Sequence, residues 1–244
     1  MKELQGKTAL ITGGTKGIGY GIAVSLLQQG INVAITGRKE TTAKQAAETL
    51  NNAENNHAKA IGIEADVRSF ESQQQAVNQV VEQFGGLDIV IANAGLGHFG
   101  SVEELTPTQW QETIDTNLTG PFYTLKASVE HLKQQQGYFI TISSLAGTNF
   151  FAGGAAYNAS KFGITGFTQA AMLDLRKHHV KVSTIMPGSV STYFNGNEPT
   201  EGDEGWKIQI EDIGKLVIDL LTMHPRTLPS KIEVRPTVPP SAKK

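Results

Sequence analysis

The chain has 244 residues, 39% of them hydrophobic, with 26 glycines, no cysteine and a formal net charge of −2. The absence of cysteine excludes disulfides, thiolate nucleophiles and cysteine zinc sites, and fits a reducing compartment. The charge offers no general attraction for nucleic acid or an anionic membrane, so neither is expected as a partner.

No apolar run approaches the roughly 18 residues of a membrane span. A strand-like run begins as early as Lys7, leaving no room for a signal peptide, so a cytoplasmic chain is expected. Thr8–Thr12 has the length and β-branched content of a buried strand. It leads into Gly13-Gly14-Thr15-Lys16-Gly17-Ile18-Gly19 and then Ile22, Ala23, Leu26 and Leu27 at helical spacing. Strand, glycine turn and helix together aim free backbone N–H groups and the positive helix end at a pyrophosphate.

A second strand over 32–36 ends at Gly37-Arg38, before a polar helix to about Asn52. In a dinucleotide-binding domain this strand tip meets the adenine ribose, where a carboxylate would select NAD. Here the tip carries Arg38, with Lys16 as a second cation and no acid, which favours the 2′-phosphate of NADP. A solvated loop arginine is the competing reading.

A third strand over 58–64 is followed by Asp66-Val67 and an amphipathic helix over 69–84. Gly85-Gly86 breaks that helix, and 87–92 forms a fourth strand ending in Asn93-Ala94-Gly95, where a parallel sheet with reversing strand order opens its ligand crevice. Thr106 caps a helix with Pro107 in its first position, running to about Lys133 and carrying Asn117 near its middle. Asparagine flanked by threonines suits either a bend with an exposed carbonyl or a plain polar position.

Strands over 138–143 and 180–186, with a helix to about Lys177 between them, deliver Ser144, Tyr157, Lys161 and Pro187-Gly188 in turn. Tyr157 and Lys161 lie four apart, on one helix face, where a fixed ammonium favours phenolate and lowers the phenol toward the range of a general acid/base. Alone the pair is weak, since chance supplies roughly a third of one such match in this composition.

Residues 189–205 read as a mobile loop over the site. A helix over 210–223 and a seventh strand over 231–235 complete a single doubly wound α/β domain, residues 1–236, with a seven-stranded parallel sheet and helices on both faces. Residues 237–244 are expected to be a disordered tail. No spacing suggests metal ligands.

Thr12-Gly13-x-x-x-Gly17-Ile18-Gly19, Asp66, Asn93-Ala94-Gly95, Asn117, Ser144, Tyr157-x-x-x-Lys161 and Pro187-Gly188-x-Val190-x-Thr192 together resemble the short-chain dehydrogenase/reductase family, in its order and spacings. The resemblance implies a Rossmann-type fold and a nicotinamide cofactor. It implies Tyr157 as general acid/base, Lys161 lowering its pKa and holding the nicotinamide ribose, Ser144 rather than Ser143 orienting the substrate oxygen, and Asn117 holding a water behind Lys161. Gly13, Thr15, Lys16 and Ile18 would lie against phosphates and adenosine, and Asp66 and Val67 against adenine. Asn93, Ala94 and Gly95 would meet the adenosine side, and Val190 and Thr192, after Pro187 and Gly188, the carboxamide.

The chain ends in Ile232-Glu-Val-Arg-Pro236 where carrier-acyl reductases of the family often have Asp-Gly-Gly, and its segment between Pro187 and Glu211 is short for a lid over a long acyl arm. Both departures favour a reductase of small carbonyls over a 3-oxoacyl-carrier reductase. A non-catalytic NADP sensor is the reading from another class. His98, Phe99, Leu145, Phe150, Phe151, Tyr193 and Phe194 are candidates for an apolar substrate pocket, several of them equally readable as core. The long helices carrying Asn117 and Tyr157 are the family's usual oligomer surface, which implies a homodimer or homotetramer.

Overall fold

The computed structural model describes residues 4–53, 58–196 and 205–239. The central part of the expected loop and the last five residues of the expected tail lie outside them. Seven parallel strands, β1 (Thr8–Ile11), β2 (Asn32–Gly37), β3 (Ala60–Glu64), β4 (Ile89–Ala92), β5 (Tyr138–Ile142), β6 (Lys181–Pro187) and β7 (Lys231–Val234), form one sheet. Their order is β3-β2-β1-β4-β5-β6-β7, so the winding direction reverses between β1 and β4. The fold is a single Rossmann-type domain, as the sequence leads one to expect.

Alternation along the strands sends side chains to two cores. On one face, Ala9 and Ile11 of β1 and Ile89 and Ile91 of β4 pack against α1 (Gly17–Gln28), α2 (Glu40–Ala53) and α7 (Ile210–Thr222). On the other, Leu10, Val90 and Phe139 meet α3 (Phe70–Phe84), α5 (Gly120–Gln135) and α6 (Ala155–Leu175). A fully buried strand residue of this size contributes about 2 kcal/mol of burial.

Local signals set several boundaries. The Ser69 hydroxyl accepts from Ser72 N–H to start α3, and Gly85, at φ 81°, ends it in the left-handed conformation. Thr106 and Gln109 form a reciprocal capping box for α4 (Pro107–Ile114).

The helix expected to run to about Lys133, with a bend at Asn117 as one of two readings, is divided at that residue. Residues Asp115–Thr119 adopt a π-helical turn between α4 and α5. The cause is readable in the chain: Pro121 has no N–H to return to the carbonyl of Asn117 four residues earlier, so the α-helical ladder changes register there.

Candidate functional site

A cleft of about 750 Å³ crosses the carboxyl ends of the strands at the β1/β4 reversal. That volume is ordinary for a small-molecule or cofactor site. It is lined by Gly13, Thr15, Lys16 and Ile18 of the glycine turn, by Arg38 at the tip of β2, and by Asp66 and Val67 after β3. Asn93, Ala94, Gly95 and His98 follow β4, Ser144 follows β5, and Tyr157 and Lys161 come from α6. Pro187, Gly188, Val190, Thr192 and Tyr193 close the far side.

The glycine turn is held by its neighbours. Gly13 and Gly17 take φ of 64° and 60°, a region that strains a side-chain-bearing residue. The Thr12 hydroxyl accepts from the N–H groups of Asn93 and Ala94, both at 3.1 Å, and the Asn93 amide donates to the carbonyls of Thr12 and Gly13, both at 3.0 Å. The first turn of α1 carries neither a side-chain cap nor an acid, which fits an anion at its positive end. The residues present therefore fit a dinucleotide pyrophosphate.

At the adenosine end, Arg68 forks onto Asp66 at 2.6–3.1 Å and pulls its carboxyl below the usual range, with Arg38 adding to the effect. Arg38 and Lys16 are exposed to the cleft, the latter 5.6 Å above the Tyr193 ring. A methyl at Gly37 would sit 2.8 Å from Thr15 Cγ2, so the strand tip packs directly on the glycine turn.

Every polar residue of Tyr157-Asn158-Ala159-Ser160-Lys161 is engaged. Tyr157 faces Ser144 across the cleft, and the Ser144 hydroxyl accepts from Ala146 N–H at 3.1 Å. Asn158 donates to the carbonyls of Ala146 and Asn149 at 2.9 and 2.8 Å, fixing the loop after β5. Lys161, buried, donates to the Ile142 carbonyl at 3.0 Å, with its Nζ 5.6 Å from the Tyr157 ring centre. Ser143 is the other hydroxyl of the pair, and it is turned inward to Thr165 at 2.9 Å and the Lys161 carbonyl at 3.2 Å.

The electrostatics differ from the expectation that Lys161 lowers Tyr157. Burial pushes the Tyr157 phenol up, and the hydrogen bond from Ser144 only partly opposes it. Burial also brings the Lys161 ammonium down to about 8. Desolvation, invisible in a helical spacing, is the leading cause of both shifts. At neutral pH the phenol is therefore protonated, and the ammonium beside it still mostly charged, which suits Tyr157 to donating a proton to an oxygen held by Ser144.

Because the folded-state pKa of Lys161 lies below its ordinary 10.5, the unfolded chain binds more protons between pH 8 and 10.5. This group therefore costs stability below pH 8, on the order of 3 kcal/mol, and the cost disappears as pH rises through that window. Lys161→Met is expected to melt higher than wild type at pH 7, with the gap closing toward pH 10. A gap independent of pH by calorimetry would refute this.

Asn117, absent from the cleft lining, stands behind it in the π-helical turn. Its Oδ1 accepts from Leu96 N–H at 2.9 Å, and its Nδ2 donates to the Leu96 carbonyl at 2.8 Å and to Ser160 Oγ at 3.0 Å. The side chain is thus a clamp between the loop after β4 and α6. Of the pocket candidates, His98 lines the cleft and is paired with Glu112 at 2.9 Å, and Tyr193 and Phe194 line it too. Phe150 is 85% exposed, and neither it nor Phe151 lines the cleft.

Sequence reasoning passed over Gly97, Arg68, Glu112 and Ser160. Gly97 and Arg68 line the cleft, and the other two tie its walls together. The position of Gly97 just beyond Asn93-Ala94-Gly95 was the available signal.

The fold and this cleft fit an oxidoreductase that takes a nicotinamide cofactor. The short chain dehydrogenase family model matches residues 7–202, and the chain belongs to that family. It is 39% identical over 189 residues to trans-4-hydroxycyclohexanecarboxylate dehydrogenase of Sinomonas cyclohexanicum, covering 76% of this chain and 73% of that one. It is 34% identical over 209 residues to the 3-oxoacyl-[acyl-carrier-protein] reductase of Aquifex aeolicus, covering 85% and 84%. An alcohol dehydrogenase from the archaeon Thermococcus sibiricus, complexed with 5-hydroxy-NADP, superposes with a TM-score of 0.88 at 29% identity, over 95% of this chain and 97% of that one. No helix of the described residues is long and apolar enough to cross a membrane, and no cluster of three or more metal-binding side chains occurs among them.

Proposed function

We propose that the protein interconverts a small carbonyl compound and its secondary alcohol, with NADP(H) as cofactor and Tyr157 as the general acid/base. The observation that carries this is the meeting of Ser144, Tyr157 and buried Lys161 in the same cleft as the glycine turn. When bound, the nicotinamide supplies or accepts the hydride.

The chain's own residues do the rest. The uncapped start of α1 and the turn around Gly13 hold the pyrophosphate, Val190 and Thr192 the carboxamide, and Lys161 the nicotinamide ribose. Ser144 orients the carbonyl oxygen, and the Tyr157 hydroxyl gives it a proton in reduction or takes one back in oxidation. Asn117 holds the Leu96 loop against α6 and so keeps that wall of the cleft in place beside Tyr157 and Lys161. Since the ammonium titrates at about 8, kcat/KM is expected to fall as pH rises above that value.

The proposed preference for NADP(H) rests on Arg38 and Lys16 at the adenosine end, because a guanidinium pairs well with a phosphate. Arg68 does not compete for that role, being engaged by Asp66 and Glu112. Arg38→Ala is expected to weaken NADPH binding about 10- to 100-fold while leaving NADH within a few-fold, a difference of about 1.4–2.7 kcal/mol. Equal wild-type affinities for the two cofactors by fluorescence titration would sink the preference.

The direct test of the function is NADPH oxidation over small ketones, aldehydes and a 3-oxoacyl thioester. Turnover of the thioester alone would favour the carrier-acyl reading, and cofactor binding without any turnover would favour a sensor. A homodimer or homotetramer is part of the proposal. Trp110, Phe122, Phe162 and Leu173 are 41–56% exposed on α4, α5 and α6, and a second copy would cover them. Light scattering measures this.

A further inference from the structure

Four aromatic rings cluster at Tyr157: Tyr157 and Phe194 line the cleft, and Phe99 and Phe151 stand at its edge, 44% and 49% exposed. Phe99 lies 5.3 Å from the Tyr157 ring centre at 59°, Phe194 lies 5.8 Å from it at 53°, and Phe151 lies 6.0 Å from Phe99 at 42°. Phe99 comes from the loop after β4, Phe194 from the short 3₁₀ turn after β6, and Phe151 from the loop before α6.

Two glycines make room for them. A methyl at Gly97 would sit 2.8 Å from the Phe99 ring and 3.1 Å from that of Phe194, and one at Gly154 would sit 2.6 Å from the Phe151 ring. The arrangement is also fastened. His98 is held by Glu112 at 2.9 Å, and Gly100 N–H donates to the Gly153 carbonyl at 2.9 Å, joining the Phe99 loop to the Phe151 loop. The rings therefore sit on a supported frame.

We infer that Phe99 and Phe194 form an aromatic-walled subsite beside the Tyr157 hydroxyl, which selects a ketone or secondary alcohol whose reacting carbon belongs to a compact apolar ring. This deepens the carbonyl-reductase reading and rests on it. Phe99 and Phe194 converge on Gly97, so two rings stand side by side next to Tyr157. Tilted aromatic faces offer a rigid body a large contact area at little cost in side-chain freedom. A six-membered ring enters with its rotors already fixed. An open chain of the same carbon count loses about 0.5–1.5 kcal/mol for each rotor it freezes.

The test compares kcat/KM for NADPH-dependent reduction of cyclohexanone, 2-hexanone and an acetoacetyl thioester. Wild type is expected to favour cyclohexanone over 2-hexanone by about tenfold or more, within the range a hydrophobic pocket achieves. Phe99→Leu and Phe194→Leu keep an apolar side chain but lose the ring, and each is expected to cut that ratio to about threefold or less, mainly through KM. Gly97→Ala, which pushes on both rings, is expected to do the same, and Phe150→Ala, far out in solvent, is expected to keep the wild-type ratio.

Equal or better turnover of 2-hexanone or the thioester would overturn the subsite while leaving the carbonyl-reductase reading intact. If no carbonyl is reduced, that reading fails, and saturation-transfer NMR still decides the subsite. Stronger transfer to cyclohexanone than to 2-hexanone, lost in Phe194→Leu, supports it, and equal transfer refutes it.

Discussion

Replacing Tyr157 with phenylalanine is expected to lower kcat by about 10²- to 10⁴-fold, the range of a lost general acid/base. The change removes one oxygen and little else. The ring keeps its packing against Phe99 and Phe194, and only the hydrogen bond with Ser144 disappears. Melting temperature and NADPH affinity are therefore expected to stay near wild type, so that the loss appears in kcat. Ser144→Ala is expected to act in the same direction more weakly, since it leaves the proton donor in place. Steady-state rates with NADPH titration check the split, and a Tyr157→Phe enzyme within a few-fold of wild type would end the proton-transfer role.

Asn117→Ala is expected to be the most damaging substitution outside the cleft. It deletes three hydrogen bonds at 2.8–3.0 Å from a side chain that is 2% exposed, and leaves both the N–H and the carbonyl of Leu96 without those partners. Unsatisfied buried groups cost about 1–3 kcal/mol each, so about 3 kcal/mol in total is reasonable. For a domain of this size that corresponds to a fall in Tm of roughly 6–12 °C. Activity is expected to drop at least about tenfold in the still-folded enzyme, because the clamp positions the Leu96 loop against α6. Asn117→Asp keeps the acceptor for Leu96 N–H but presents oxygen to the Leu96 carbonyl, so it should recover only part of either loss. Thermal unfolding and turnover together read this, and an unchanged Tm would show that the clamp contributes nothing.

The two substitutions probe different kinds of information. Tyr157 and Lys161 are four positions apart on one helix, and helical geometry alone puts them on one face. The glycine turn was equally visible, because positive φ and an uncapped helix start demand particular residue types at particular spacings. The doubly wound parallel sheet with helices on both faces followed from alternating β and α segments with matching periodicity. At Asn117 the sequence left a bend and a plain helix position open, and the π-helical turn at Asp115–Thr119 decides for a break, for which Pro121 carried the unused signal.

Other features had no local signature. The partners of Asn117 are 21 and 43 positions away, so its role as a clamp exists only once the loop after β4 and α6 come together. The choice between Ser143 and Ser144 depends on which hydroxyl Thr165 and Lys161 occupy. Phe99, Phe151 and Phe194 converge on Tyr157 from three separate loops, and Phe150, adjacent to Phe151, points away from them into solvent.

By itself, then, the sequence determined the doubly wound sheet, the nucleotide-facing turn and the tyrosine–lysine pair, because each rests on short-range geometry. The tertiary structure alone decided what surrounds that pair. Its burial raises the phenol and lowers the ammonium, reversing the shift that a neighbouring charge would give Tyr157 in water, since desolvation depends on every element packed around a group and not on the residues next to it in the chain.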